Sequence, residues 1–171
     1  MGKKNEKFND YKAFVEKFEP KKTTDDCYTP PEVYDVILEH VRAEYGIPED
    51  TPIIRPFFPG GDYERHNYPE GCVVVDNPPF SILAKILDFY RAHNIRFFLF
   101  SPALTSIGGV VRREGLTFVN ANASIKYANG AVVNTGFITN MSPDLFFTTC
   151  PSLSKRIKLI QKNMKQKKES P

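Results

Sequence analysis

The chain has 171 residues, 41% hydrophobic and 25% charged. That is the make-up of one globular domain with a real core, and it argues against general disorder. No apolar run of roughly 18 residues is present, so no membrane span is expected. The charged opening Met1-Gly2-Lys3-Lys4-Asn5-Glu6-Lys7 does not read as a secretory signal. Net charge is +3, but seven of the 23 basic residues lie between Lys155 and Lys168 with no acid among them. The rest of the chain then carries 16 basic against 20 acidic residues. Such a basic end fits either a polyanionic partner or an ordinary solvated helix face. Cys27, Cys72 and Cys150 are odd in number and far apart. They fit a reducing, cytoplasmic setting better than a disulfide framework or a zinc site.

Residues 1–26 read as a leader in which Phe8, Tyr11, Phe14, Val15 and Phe18 recur at the spacing of one short amphipathic helix, ended by Pro20. A sharper helix follows, with Thr29 expected as its N-cap, Pro30 at its first position and Glu32 three residues after the cap. Val33, Ile37, Val41 and Tyr45 share one face, and Gly46 with Pro48 closes it. A strand over 53–55 runs into the turn-rich Pro56-Phe57-Phe58-Pro59-Gly60-Gly61, and Asp62 to Gly71 is expected to be irregular. The unbroken apolar run Cys72-Val73-Val74-Val75 predicts a strand over 72–76, buried on both faces of a parallel sheet. It stops at Asp76-Asn77-Pro78-Pro79-Phe80. A helix then starts near Ser81, buries Ile82, Leu83, Ile86, Leu87, Phe89 and Tyr90, and stops at Asn94 before a strand over 95–100.

Beyond residue 116 the pattern changes. Leu116–Val119, Ser124–Tyr127 and Ala131–Val133 predict short strands, and Asn129-Gly130 predicts a hairpin turn between the last two. Phe137-Ile138-Thr139 extends the second arm. A final helix from about Ser152 to Lys168 carries Leu153, Ile157, Ile160 and Met164 on one stripe. The predicted class is α/β: a mixed sheet flanked by helices, parallel strands first and an antiparallel hairpin towards the C-terminus. Three stretches follow from this order: a leader over 1–26, an α/β domain over 27–150, and a basic helix and tail over 151–171.

The segment with chemical content is Asn77-Pro78-Pro79-Phe80, at the carboxyl end of a buried strand and the start of a helix, where open α/β sheets bind ligands. The side-chain oxygen of Asn77 and the main-chain carbonyl of Pro78 can accept both hydrogens of a planar amine and free its lone pair from the ring. Pro78 and Pro79 stiffen the loop, and Phe80 can stack on a base flipped from a duplex. Asn-Pro-Pro is also a common strand stop; its place at a sheet edge is what favours chemistry. The segment resembles the motif of amino-group DNA methyltransferases, in which Asp, Asn or Ser precedes Pro-Pro and an aromatic residue.

Two further segments share that resemblance. Tyr28-Thr29-Pro30-Pro31 is similar to the Thr-Pro element that contacts the methionine end of S-adenosylmethionine, where a helix N-terminus faces a carboxylate. Arg55-Pro56-Phe57-Phe58-Pro59-Gly60-Gly61-Asp62 is similar to the cofactor loop Asp-Pro-Phe-x-Gly-x-Gly: Pro56, Phe57 and Gly61 match, while Arg55 stands at the acid and Pro59 at the first glycine. The resemblance spans roughly residues 24–140 and points to the adenine-N6 branch, a small phage- or mobile-element-like member with a reduced class I, Rossmann-like sheet. It implies Asn77, Pro78, Pro79 and Phe80 as catalytic residues. The cofactor residues it implies are Tyr28, Thr29, Pro30, Pro56, Phe57, Gly60, Gly61, Asp62 and Asp76, with S-adenosylmethionine as cofactor and DNA as substrate.

The chain also departs from that pattern. Asp62 to Gly71 is too short for the two strand–helix units expected there, and the acid that holds the ribose hydroxyls has only Asp62 or Glu64 as candidates. No insertion is large enough to read a DNA sequence, so a dimer or partner subunit would complete target recognition, with Arg112-Arg113 and the basic helix supplying phosphate contacts. Two alternatives follow: a catalytically inactive domain that binds nucleic acid or a partner protein, and a methyltransferase acting on RNA or a protein amide. His40, His66 and His93 lack metal-ligand spacing, so no metal is expected.

Overall fold

The computed structural model describes residues 28–58, 61–103, 107–108 and 112–170. The leader helix, Cys27, Pro59 and Gly60 lie outside the described residues. Among the described residues, three helices, α1 (Pro31–Tyr45), α2 (Leu83–Ala92) and α3 (Pro151–Glu169), flank six strands: β1 (Ile53–Ile54), β2 (Val73–Asp76), β3 (Arg96–Pro102), β4 (Thr117–Lys126), β5 (Val132–Thr139) and β6 (Phe147–Thr149). The strands form one mixed sheet in the order β1-β2-β3-β5-β4-β6. The first three are parallel, with Ile53 opposite Val73 and Val74 opposite Phe97. β5 then runs antiparallel to both β3 and β4.

The side-chain period of two sorts the central strands onto both faces. Val73, Val75, Phe98 and Phe100 meet α1 and α3 through Ile37, Val41, Leu153 and Ile157. Val74, Phe97 and Leu99 meet α2 through Leu83, Ile86, Leu87 and Tyr90. The continuous apolar runs are therefore continuous because both sides are covered. Leu153 and Ile157 are fully buried, with Ile160 and Met164 packed beside them, so the basic helix is part of the body and turns its lysines outward. Among the described residues no helix is long and apolar enough to cross a membrane.

Several expectations need correction. Helix α1 starts one residue later than predicted: Pro30 (φ −55°, ψ 137°) is the N-cap and Pro31 the first helical residue. A residue before proline is driven out of the helical region, so Pro31 makes Pro30 extended and displaces Thr29 from the capping position. At the other end Gly46 closes α1 at φ 61°, as the sequence predicts. The two short strands expected over 116–127 are one strand, β4. Its register shifts between Val119 and Ala123 at a bulge where Asn122 takes φ 44° and its N–H donates to Asn120 Oδ1 at 2.9 Å. Strand β6 has no counterpart in the sequence reading; it pairs parallel to β4, with Phe118 opposite Phe147.

The link from β1 to β2 is the largest departure from an ordinary parallel unit. It crosses over without a helix. In the place of one, Phe57, Tyr63 and Tyr68 pack on the α2 side against Phe89 and Tyr90, with ring centroids 5.4–6.5 Å apart. Tyr68 Oη lies 2.9 Å from Tyr90 Oη and donates to the Tyr63 carbonyl at 2.6 Å.

Candidate active site

Because β1, β2 and β3 are parallel, their carboxyl ends lie at one edge of the sheet. That edge gathers Arg55 after β1, Asp76 and Asn77 at the end of β2, and Ser101 near the end of β3. The first turns of α1 reach the same edge: the Tyr34 hydroxyl donates to the Val75 carbonyl at 2.7 Å. The Tyr34 ring is buried, and the Arg55 guanidinium lies over it with its Cζ 3.6 Å from the ring centroid.

Asp76 is the centre of this cluster and the one buried carboxylate among the described residues. Its Oδ1 accepts from Arg55 Nε at 3.3 Å and from the Asn77 N–H at 2.9 Å; its Oδ2 accepts from the Phe57 N–H at 3.0 Å. One side chain thereby ties the loop after β1 to the loop after β2. Burial pushes the Asp76 carboxyl above its ordinary value, opposed first by the Phe57 N–H and then by the Arg55 charge. Burial likewise raises the Tyr34 hydroxyl above the ordinary phenol range.

The residues singled out from the sequence fall into four sets. Phe57, Asp76 and Asn77 are brought together, with Pro56 and Pro78 buried beside them. Pro79 caps a short 3-10 turn, Phe80–Ile82, and Phe80 is half-buried against the α1 side of the core. Thr29 and Pro30 lie at the start of α1, where Thr29 Oγ1 is buried with no hydrogen-bond partner among the described residues. Tyr28 is exposed, and its carbonyl accepts from Ala128 in the hairpin turn. Gly61 and Asp62 belong to the irregular crossover. A Cβ on Gly61 would sit 2.8 Å from the Pro56 carbonyl oxygen, so glycine lets that loop fold back on itself. Asp62 is exposed: Oδ1 accepts from the Glu64 N–H at 3.1 Å and Oδ2 lies 3.6 Å from Arg65 Nε.

In comparison with known proteins, no family model, no curated protein and no solved structure matches the chain.

Two residues of the cluster were not foreseen as site residues. Arg55 stands out in the sequence as the base at an acid's position, and the acid at Asp76 is its complement on the next strand. Tyr34 was not singled out in the sequence, being outside the Val33, Ile37, Val41 and Tyr45 face; the structure buries its ring. Elsewhere, a groove of about 940 Å³ lies between the start of α1, the hairpin turn and α3; its walls include Pro30, Tyr127, Lys126, Lys162, Lys165 and Lys168.

Proposed function

We propose that this chain transfers a methyl group from S-adenosylmethionine to the N6 amine of adenine in DNA. The observation that carries the reading is the Asp76 carboxylate, which joins the Phe57 and Asn77 main chains. Two segments likened to methyltransferase motifs thus meet in one cluster at the carboxyl ends of the parallel strands, the kind of edge where open α/β sheets bind ligands. Unspent polar groups at this edge fit a bound polar cofactor: Thr29 Oγ1 and Ser101 Oγ are buried and have no hydrogen-bond partner among the described residues.

The cofactor, when bound, supplies an activated methyl group. The chain's own part is positional. Asn77 and the Pro78 carbonyl accept the amine hydrogens, and Phe80 gives its half-exposed ring to the base. Pro78 and Pro79 restrict the loop that carries these acceptors, and Asp76 fixes its start. The lysine-lined groove beside the start of α1 supports an anionic polymer as substrate, since phosphate contacts position a duplex without reading it.

The competing reading, a methyltransferase-like domain that binds without catalysis, is favoured by one observation. Asp62 is exposed and engaged in its own turn, so no buried acid besides Asp76 stands ready for ribose hydroxyls among the described residues. Incubation with methyl-labelled S-adenosylmethionine and a panel of duplex DNA, single-stranded DNA, RNA and peptide separates the two. Label in N6-methyladenine of DNA, reduced at least about 100-fold by Asn77→Ala, supports the proposal, the reduction being of the size that loss of one positioned polar group at a reacting centre brings. Label in DNA that Asn77→Ala leaves unchanged, or label in RNA or peptide alone, rejects it.

A further inference from the structure

A carboxylate at the start of α1 would meet few donors. Pro30 and Pro31 have no N–H, and Glu32 places a negative charge in the first turn. Arg55, by contrast, is the base at the position where the resembling loop carries an acid, and it is held on two sides. Its Nε is fixed by Asp76 at 3.3 Å and its guanidinium face by the Tyr34 ring at 3.6 Å. Among the described residues its two terminal nitrogens donate to no protein group, and its side chain is 45% exposed.

Resting on the cofactor reading above, we propose that Arg55 is the carboxylate-binding group of this site and, with Asp76, makes it selective for a nucleoside that carries a zwitterionic amino acid. A guanidinium with one edge anchored keeps its other nitrogens for a planar, bidentate partner, and a carboxylate is that partner. Asp76, buried with both oxygens engaged, sets the opposite charge beside it and so favours the ammonium of an α-amino acid through its field rather than by contact. The exchange of an acid for a base at position 55 thereby moves carboxylate recognition from a donor-poor helix start to a side chain. Because the guanidinium is already stacked and anchored, little side-chain freedom remains to be lost on binding.

The test is calorimetric titration of the intact chain with S-adenosylhomocysteine, which carries the amino acid, and with methylthioadenosine, which lacks it. The wild-type chain is expected to prefer the first by about tenfold or more, the size of a charge-assisted hydrogen bond. Arg55→Gln is expected to lose that preference by weakening only the first ligand, and Arg55→Lys to restore part of it as a point charge, with circular dichroism confirming that both variants are folded. Arg55→Gln that keeps the full preference overturns the inference while leaving the cofactor reading in place. A folded wild-type chain that binds neither compound overturns the cofactor reading, and the role of Arg55 with it.

Discussion

Asp76 stands just before the Asn77-Pro78-Pro79-Phe80 segment and Asp62 ends the segment similar to the cofactor loop, and the two acids come to rest in opposite surroundings. Asp76 ends a buried strand and receives two main-chain N–H groups and a guanidinium; Asp62 sits in an irregular crossover and is shared between its own turn and exposed Arg65. What separates them is the second strand. β1 and β2 are adjacent and parallel, so the loop after β1 is delivered to the end of β2 whatever the intervening residues do. Within the crossover, burial is given to Tyr63 and Tyr68, whose rings pack on α2, and Asp62 and Glu64 on either side of Tyr63 face water.

The sharpest way to break this contrast is to delete each acid. Asp76→Ala takes the acceptor from two part-buried N–H groups, each costing about 1–3 kcal/mol at most. Half-exposed Arg55 is freed to turn to water, so a total near 2–4 kcal/mol is expected as a lowered urea midpoint. Tyr34→Phe keeps the ring under Arg55 and removes only the bond to the Val75 carbonyl. A loss of about 1 kcal/mol follows, readable in the same denaturation series.

The contrast between buried and exposed ionisable groups extends to His40, on α1, whose Nε2 lies 3.4 Å from Cys150 Sγ. Burial lowers the His40 pKa below its ordinary value. The unfolded chain then binds this proton more readily than the folded one, so the contribution is intact above about pH 6.5 and is lost as pH falls through the lower folded value. His40→Gln should flatten that part of a stability–pH profile; an unchanged slope would remove His40 from the account. Asp62→Ala is expected to shift stability by no more than about 0.5 kcal/mol, and a change as large as that of Asp76→Ala would erase the distinction between the two acids.

Much of the framework was legible because the signals were strong and local. The runs Val73–Val75 and Phe97–Phe100 have no polar interruption, which only double-sided burial explains, and both are central strands. Asn129-Gly130 makes the hairpin turn it announces: Asn129 Oδ1 accepts from the Ala131 N–H and Gly130 takes φ 86°. Other features escaped for physical reasons. β6 is three residues long with both phenylalanine and threonine partly in water, so no alternation marks it. β4 continues through Asn122 only because asparagine tolerates the left-handed region, and a sequence reading breaks the strand there. Thr29 is displaced by Pro31 acting on Pro30, a backbone effect that a capping pattern does not register.

The site was legible in part. Asn77 and Asp76 were visible as a strand ending in a proline-rich turn, whereas Arg55 read as a mismatch and becomes meaningful only when the parallel pairing sets it against Asp76. The pairing is long-range, over 21 residues, and no local pattern encodes it.

The central claim is that this short sheet still forms a cofactor pocket centred on Asp76. Calorimetric titration of the intact chain with S-adenosylmethionine tests it most directly, with Asp76→Asn and Asp62→Ala alongside. The account predicts binding in the micromolar range, about −8 kcal/mol, weakened by Asp76→Asn and unchanged by Asp62→Ala. Absence of heat at millimolar ligand in a folded wild-type chain, or binding lost through Asp62 and indifferent to Asp76, would contradict it.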